Sequence, residues 1–109
     1  MLKVLLYVHE IELGYLTEID KGYVFKADAG NVAKAKKEYP IEMKRFTLNS
    51  ADNGLYREVP PIFDEFLGYT SRQDLIEEAG IDKFDTDLEK IYKLAGLDMM
   101  TPVFEIRQG

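Results

Sequence analysis

Alternation and helical spacing divide the chain into an extended front, a helical back and one closing strand. From residue 2 to residue 8, Leu2, Val4, Leu6 and Val8 fall on one side and Lys3, Leu5 and Tyr7 on the other, the period of a strand built from β-formers. Both sides are partly apolar, as in a strand covered on two faces. After a turn near residues 9–12, residues 13–19 alternate again, and Gly14 within them predicts a bulge or a close backbone approach. Asp20-Lys21-Gly22 is a hairpin signal, and Tyr23-Val24-Phe25-Lys26 makes the return strand. The first third therefore reads as an antiparallel meander.

Residues 27–39 lose this alternation and gain Ala and Lys, which predicts a short helical turn over 31–38. Pro40 disfavours helix at Tyr39. Beyond it Ile41, Met43 and Arg45 face oppositely to Glu42, Lys44 and Phe46, predicting a fourth strand over 41–46. Residues 47–58, with Asn49, Ser50, Asp52, Asn53 and Gly54, read as a polar loop.

Three short helices follow. Pro60 or Pro61 starts the first, over 60–67, because a first-turn residue has no intrahelical use for its N–H. Ile62, Phe63, Phe66 and Leu67 share one face of it, a stripe that reads as core. The second, over 71–79, opens at Ser71 with Asp74 three residues on, and Gly80 ends it. The third, over 86–95, has Thr86 and Glu89 as a capping box, Leu88, Ile91, Tyr92 and Ala95 on one face, and Gly96 as a left-handed stop. Phe63, Ile91 and Leu94 are expected in the core. Isolated helices of this length are marginal in water, so they need a sheet to lie on. A last strand over 103–107 follows Pro102. Strands grouped apart from helices predict an α+β fold, a mainly antiparallel sheet of about five strands with three short helices packed together against it.

A chain of 109 residues is read as one domain, 1–109. Its 46% hydrophobic and 12% aromatic content argues against disorder. The formal charge of −6 makes direct binding to DNA or RNA unfavourable, since such binding rests on displacing counterions from phosphates. Absence of cysteine excludes thiol chemistry and fits a reducing compartment. The N-terminal apolar run is brief, without a small-residue cleavage site, and no run reaches the ~20 residues that span a bilayer. The expectation is a cytoplasmic protein with no membrane contact.

Little in the chain reads as an active site. The glycines are isolated from one another, so no phosphate-cradling loop is formed. His9 is the only imidazole and sits beside a turn. Asp82, Asp85, Asp87 and Glu89 form the densest carboxylate group, but Lys90 stands where a calcium loop needs its turn glycine, and acids at a helix start suit its dipole. Asp64/Glu65 and Glu77/Glu78 are neighbours in sequence and diverge by about 100° on a helix. No cofactor, metal or catalytic residue is expected.

The assembled segments resemble the N-terminal subdomain of HipA-type serine/threonine kinases, the toxins of bacterial toxin–antitoxin systems. The resemblance runs over nearly the whole chain. Leu13-Gly14-Tyr15-Leu16-Thr17 is similar to the family's opening strands, and Tyr23-Val24-Phe25-Lys26 to its aromatic-rich strand. Pro40-Ile41-Glu42-Met43 stands where the family has Pro-Ile-Ser-Leu. Val59-Pro60-Pro61-Ile62-Phe63-Asp64-Glu65-Phe66-Leu67 resembles its Leu-Pro-Pro-Phe-Phe-Asp-Gly-Leu-Leu. Arg72 to Ile76, Gly80-Ile81, Asp87-Leu88 and Leu94-Ala95-Gly96 keep its helical pattern, and residues 103–107 its closing strand. Two loops depart from it. Leu67-Gly68-Tyr69-Thr70 replaces Leu-Pro-Glu-Gly, and Ala95-Gly96-Leu97-Asp98-Met99 replaces a Gly-Gly-Asp-Cys segment.

The kinase body that follows in the family has no counterpart in this sequence. In HipBST-type systems the subdomain is a separate protein, HipS, which binds the truncated kinase HipT, and HipB is the DNA-binding partner. The resemblance thus implies a non-catalytic, HipS-like protein whose partner is a HipA-like (HipT-like) kinase, with a HipB-like protein as a further partner. The end of the first helix and the loop after it are the contact candidates: Phe66, Gly68, Tyr69, Thr70, Ser71 and Arg72. The loop breaks the family pattern and carries a Tyr and an Arg, types enriched at interface hot spots. An alternative is a small ligand-binding protein or enzyme using a pocket between sheet and helices, with Tyr and carboxylate groups.

Overall fold

Residues 2–48, 54–97 and 103–109 are described by a computed structural model. The meander forms as its alternation dictates: β1 (Val4–Val8), β2 (Ile11–Ile19) and β3 (Gly22–Ala27) pair antiparallel in succession. Val4, Leu6 and Val8 are fully buried on one side of β1, while Leu5 and Tyr7 on the other are half-buried. The β1–β2 register slips between Leu6, opposite Gly14, and Tyr7, opposite Glu12, so Leu13 is the extra residue of a bulge. Gly14 has φ +148°, and a Cβ there would run into the Lys26 carbonyl oxygen. The close backbone approach expected at Gly14 is thus real.

The bulge seats α1 (Ala29–Glu38). The Asp28 amide donates to the Leu13 carbonyl at 2.9 Å, and the Asn31 side-chain amide donates to the Glu12 carbonyl at 2.9 Å. Asp28 also caps the helix, its Oδ1 accepting from the Asn31 amide at 3.0 Å. The element is a ten-residue helix rather than the short turn expected over 31–38.

The fourth strand expected over 41–46 does not exist. That stretch holds a 3₁₀ helix, Glu42–Arg45. Met43 and Phe46 are both buried, which alternation forbids and a period of three residues per turn requires. Pro40 ends α1, and the chain re-coils at once: the Met43 amide donates to the Tyr39 carbonyl at 2.9 Å and the Phe46 amide to the Met43 carbonyl at 3.1 Å. The fourth strand is instead β4 (Gly54–Tyr56), inside the segment expected to be loop. It pairs antiparallel with β3, Tyr56 opposite Tyr23 and Leu55 opposite Val24. Asn49, Ser50, Asp52 and Asn53 of that loop expectation lie outside the described residues, as does Pro102.

Helix α2 (Pro61–Leu67) begins with Pro61 at its first position and Pro60 as cap residue. Helix α3 (Gln73–Ala79) starts two residues later than the expected 71–79. Ser71 belongs to a 3₁₀ turn, Gly68–Ser71, and Arg72 is the cap residue, with no side-chain cap. Gly80 ends α3 in the left-handed conformation, as expected. Helix α4 (Asp87–Ala95) has the full capping box, Thr86 Oγ1 accepting from the Glu89 amide and Glu89 Oε1 from the Thr86 amide, each at 3.2 Å. Gly96 is not a left-handed stop; its φ of −67° is right-handed. It is small for another reason: a Cβ would lie 2.9 Å from Nε2 of Gln108, which donates to the Tyr92 carbonyl at 3.0 Å.

Gln108 belongs to β5 (Phe104–Gln108), which pairs antiparallel with β1. The Gly109 amide then donates to the Lys3 carbonyl at 2.9 Å. The result is an α+β fold with a five-stranded antiparallel sheet in the order β4-β3-β2-β1-β5. The core collects on the face bearing Leu6, Leu16, Phe25 and Ile106, under α2 and α4. Phe25 meets Phe63 at 5.9 Å and Phe46 at 6.1 Å between ring centroids. Phe63, Ile91 and Leu94 are fully buried, as expected. Helix α3 buries no residue completely and packs on α4 and the 3₁₀ turn, and a helix beyond the expected three, α1, lies on β2 and adds Val32 and Ala35 to the core.

Candidate functional site

The residues singled out for partner contact follow one another from the end of α2 through the turn after it, and Phe66, Gly68, Tyr69, Thr70 and Arg72 differ sharply in access. Phe66 points inward from α2 and is fully buried with Ile62 and Phe63. It therefore holds the turn in place from below and offers no surface itself. The 3₁₀ turn Gly68–Ser71 continues directly from α2. Thr70 Oγ1 donates to the Leu67 carbonyl at 2.6 Å, and the Arg72 amide to the Tyr69 carbonyl at 3.1 Å, so this stretch is tightly wound. Gly68 is exposed and Tyr69 is half-buried against the core.

Arg72 stands in solvent. Its Nη2 is 2.9 Å from Asp74 Oδ2, and its Nε donates to Oδ1 at 3.4 Å. This hydrogen bonding holds the Asp74 carboxyl below the ordinary aspartate range. An exposed pair of this kind adds little stability, so the guanidinium can exchange Asp74 for another carboxylate at small cost.

Beside the turn is a hollow of about 380 Å³ between Thr70, Gln73, Ile76, Ile81 and Lys90. Next to it in the chain is Phe84, 83% exposed, with the Lys83 ammonium 5.0 Å from its ring centre. Sequence reasoning passed over Phe84. An aromatic between Lys83 and Asp85, off the apolar period of either flanking helix, was the signal available. The carboxylates around it are structural. Asp85 accepts from the Asp82 amide at 2.8 Å and from Lys93 Nζ at 2.6 Å, and Asp82 accepts from the Phe84 amide at 2.8 Å. These bonds, that from Lys93 first, hold the Asp85 carboxyl below its ordinary range. Lys93 also donates to the Gly80 carbonyl at 3.0 Å.

His9, the one imidazole, stacks on Tyr39 at 4.1 Å between ring centres, with Nε2 3.4 Å from Glu42 Oε2. It joins the β1–β2 turn to the end of α1. Among the described residues no group of three or more His, Asp or Glu side chains is placed to hold a metal ion, and no helix is long and apolar enough to cross a membrane.

A larger hollow, about 960 Å³, opens at the β4 end of the sheet, where the sheet meets the first turns of α2 and α4. It is bounded by Tyr23 and Tyr56 on the sheet and by Asp64, Glu65 and Asp87 on the helices. Comparison with protein-family models, curated proteins and solved structures found no match to this chain.

Proposed function

We propose that the chain is a non-catalytic interaction protein of the kind represented by the separate N-terminal subdomain of HipA-type kinases, and that it binds and restrains a truncated HipA-like kinase. The observation that carries this reading is the ordered series of segments similar to that family, from Leu13 to Arg107, centred on the proline-started helix Val59–Leu67. An exposed Arg72 paired with the equally exposed Asp74, an exposed Gly68 and a protruding Phe84 support the neighbourhood of the 3₁₀ turn as the docking surface. On this reading phosphoryl transfer belongs to the partner, nucleic acid contact to a HipB-like protein, and the compartment is the cytoplasm.

Co-expression with a HipA-like kinase lacking its own N-terminal subdomain tests the proposal by pull-down and by growth. Complex formation and relief of toxicity are expected, with Arg72→Ala and Tyr69→Ala weakening both while the circular dichroism of the free protein is unchanged. No complex with any such kinase overturns the functional reading. A complex indifferent to both substitutions overturns the docking surface alone.

A further inference from the structure

We infer that the 960 Å³ groove at the β4 end of the sheet is a second binding site, which receives an arginine- or lysine-bearing peptide segment of a partner protein. The groove is distinct from the turn at Gly68–Ser71, and the inference stands whether or not the partner is a kinase.

Three features of the lining point to such an occupant. Glu58, Asp64, Glu65 and Asp87 face the single guanidinium of Arg57, so the groove is strongly acidic. Among the described residues none of these four carboxylates takes part in an ion pair. The sheet side is aromatic, because the register sets Tyr23 directly across from Tyr56 on the same face. Tyrosine faces attract guanidinium and ammonium groups. This chain uses that pairing on its own surface, with Arg107 4.1 Å over Tyr7 and Lys3 4.6 Å over Tyr15. Finally, Val59, Pro60 and Pro61 line the groove with apolar surface, suited to the aliphatic stems of arginine and lysine or to a peptide backbone. The open groove has room for a long side chain and adjoining backbone, well beyond one ion.

The electrostatics agree with the geometry. Burial, then the carboxylates of Glu18 and Asp87, pushes the Tyr23 hydroxyl above its ordinary pKa. The hydroxyl therefore stays neutral, and the negative charge of the groove is that of its carboxylates.

The test uses the full chain, isotope-labelled, titrated with a blocked tetrapeptide carrying two arginines and, separately, with its diglutamate counterpart. Binding of the arginine peptide is expected to shift the amide resonances of Tyr23, Tyr56 and Asp87 together, and the glutamate peptide to shift none. The double variant Asp64→Asn, Glu65→Gln is expected to weaken binding by about tenfold, the scale of two lost charge contacts. Both positions are exposed, so folding is preserved, and Glu77→Gln, Glu78→Gln removes the same charge from α3 as a control. Equal weakening by the control pair, or shifts spread over the whole acidic surface, overturns the inference in favour of non-specific attraction. Spermidine binding tighter than the peptide and displacing it also overturns it, making the groove a site for a free polyamine.

Discussion

Phe63 carries more of this fold than any residue on the solvent side of α2. Its ring is fully buried, 5.9 Å from that of Phe25, and links the helix layer to the middle of the sheet. Phe63→Ala is expected to cost about 3–5 kcal/mol, because the lost transfer energy is joined by a cavity that a close-packed core cannot close. Urea denaturation measures it, and a loss below about 1 kcal/mol would show that the neighbours collapse into the space. The same stripe explains why the access of the candidate contact residues is only partly legible in the sequence. Spacing puts Phe66 on the face of Ile62 and Phe63, which buries it, whereas its position next to the Gly68 turn suggests a surface role. Arg72 and Phe84 behave in the opposite way, exposed because no apolar period includes them.

At the level of elements, sequence reading succeeds where a local bond determines the outcome. The Thr86–Glu89 capping box and the Gly80 stop are three- or four-residue devices that need no tertiary partner. Residues 41–46 fail the same treatment because six residues are too few to choose a period: alternation accounts for Ile41 and Met43, a period of three for Met43 and Phe46, and only the burial of Phe46 with Ile41 exposed separates them. β4 has three residues, too few for any period, and is a strand because β3 presents an edge to it. The α3–α4 connection shows a device of another kind. Lys93 reaches back from α4 to Gly80 and Asp85 and fastens the loop between the two helices. Since the folded-state pKa of Asp85 is lowered, the contribution is present above the ordinary aspartate pKa and is lost as the pH falls through the folded value. Carboxyl-detected NMR is expected to find Asp85 titrating below the ordinary range, and Lys93→Met to move it back up. An unchanged titration in the variant would assign the shift to the Asp82 amide instead.

For the whole molecule, the α+β class follows from the grouping of strands and helices along the chain, but the sheet order does not. Likewise the acidic groove gathers side chains from positions 23 to 87, and no spacing rule unites them. The placement of β5 is the clearest case, since Val4 pairs with Gln108 and the first and last strands lie side by side. That neighbourhood makes the chain, topologically, almost a ring. A short linker joining Gly109 to Lys3, with new ends opened between the exposed Lys83 and Phe84, turns the most distant strand pair into a local hairpin and leaves every strand–strand pairing intact. Distant pairings slow folding because the intervening chain must be closed before any contact repays it. The permuted protein is therefore expected to refold faster than the parent in stopped-flow experiments, with its unfolding rate little changed. Equal refolding rates would mean that β5 joins β1 only after the rate-limiting step, on a meander that has already formed without it.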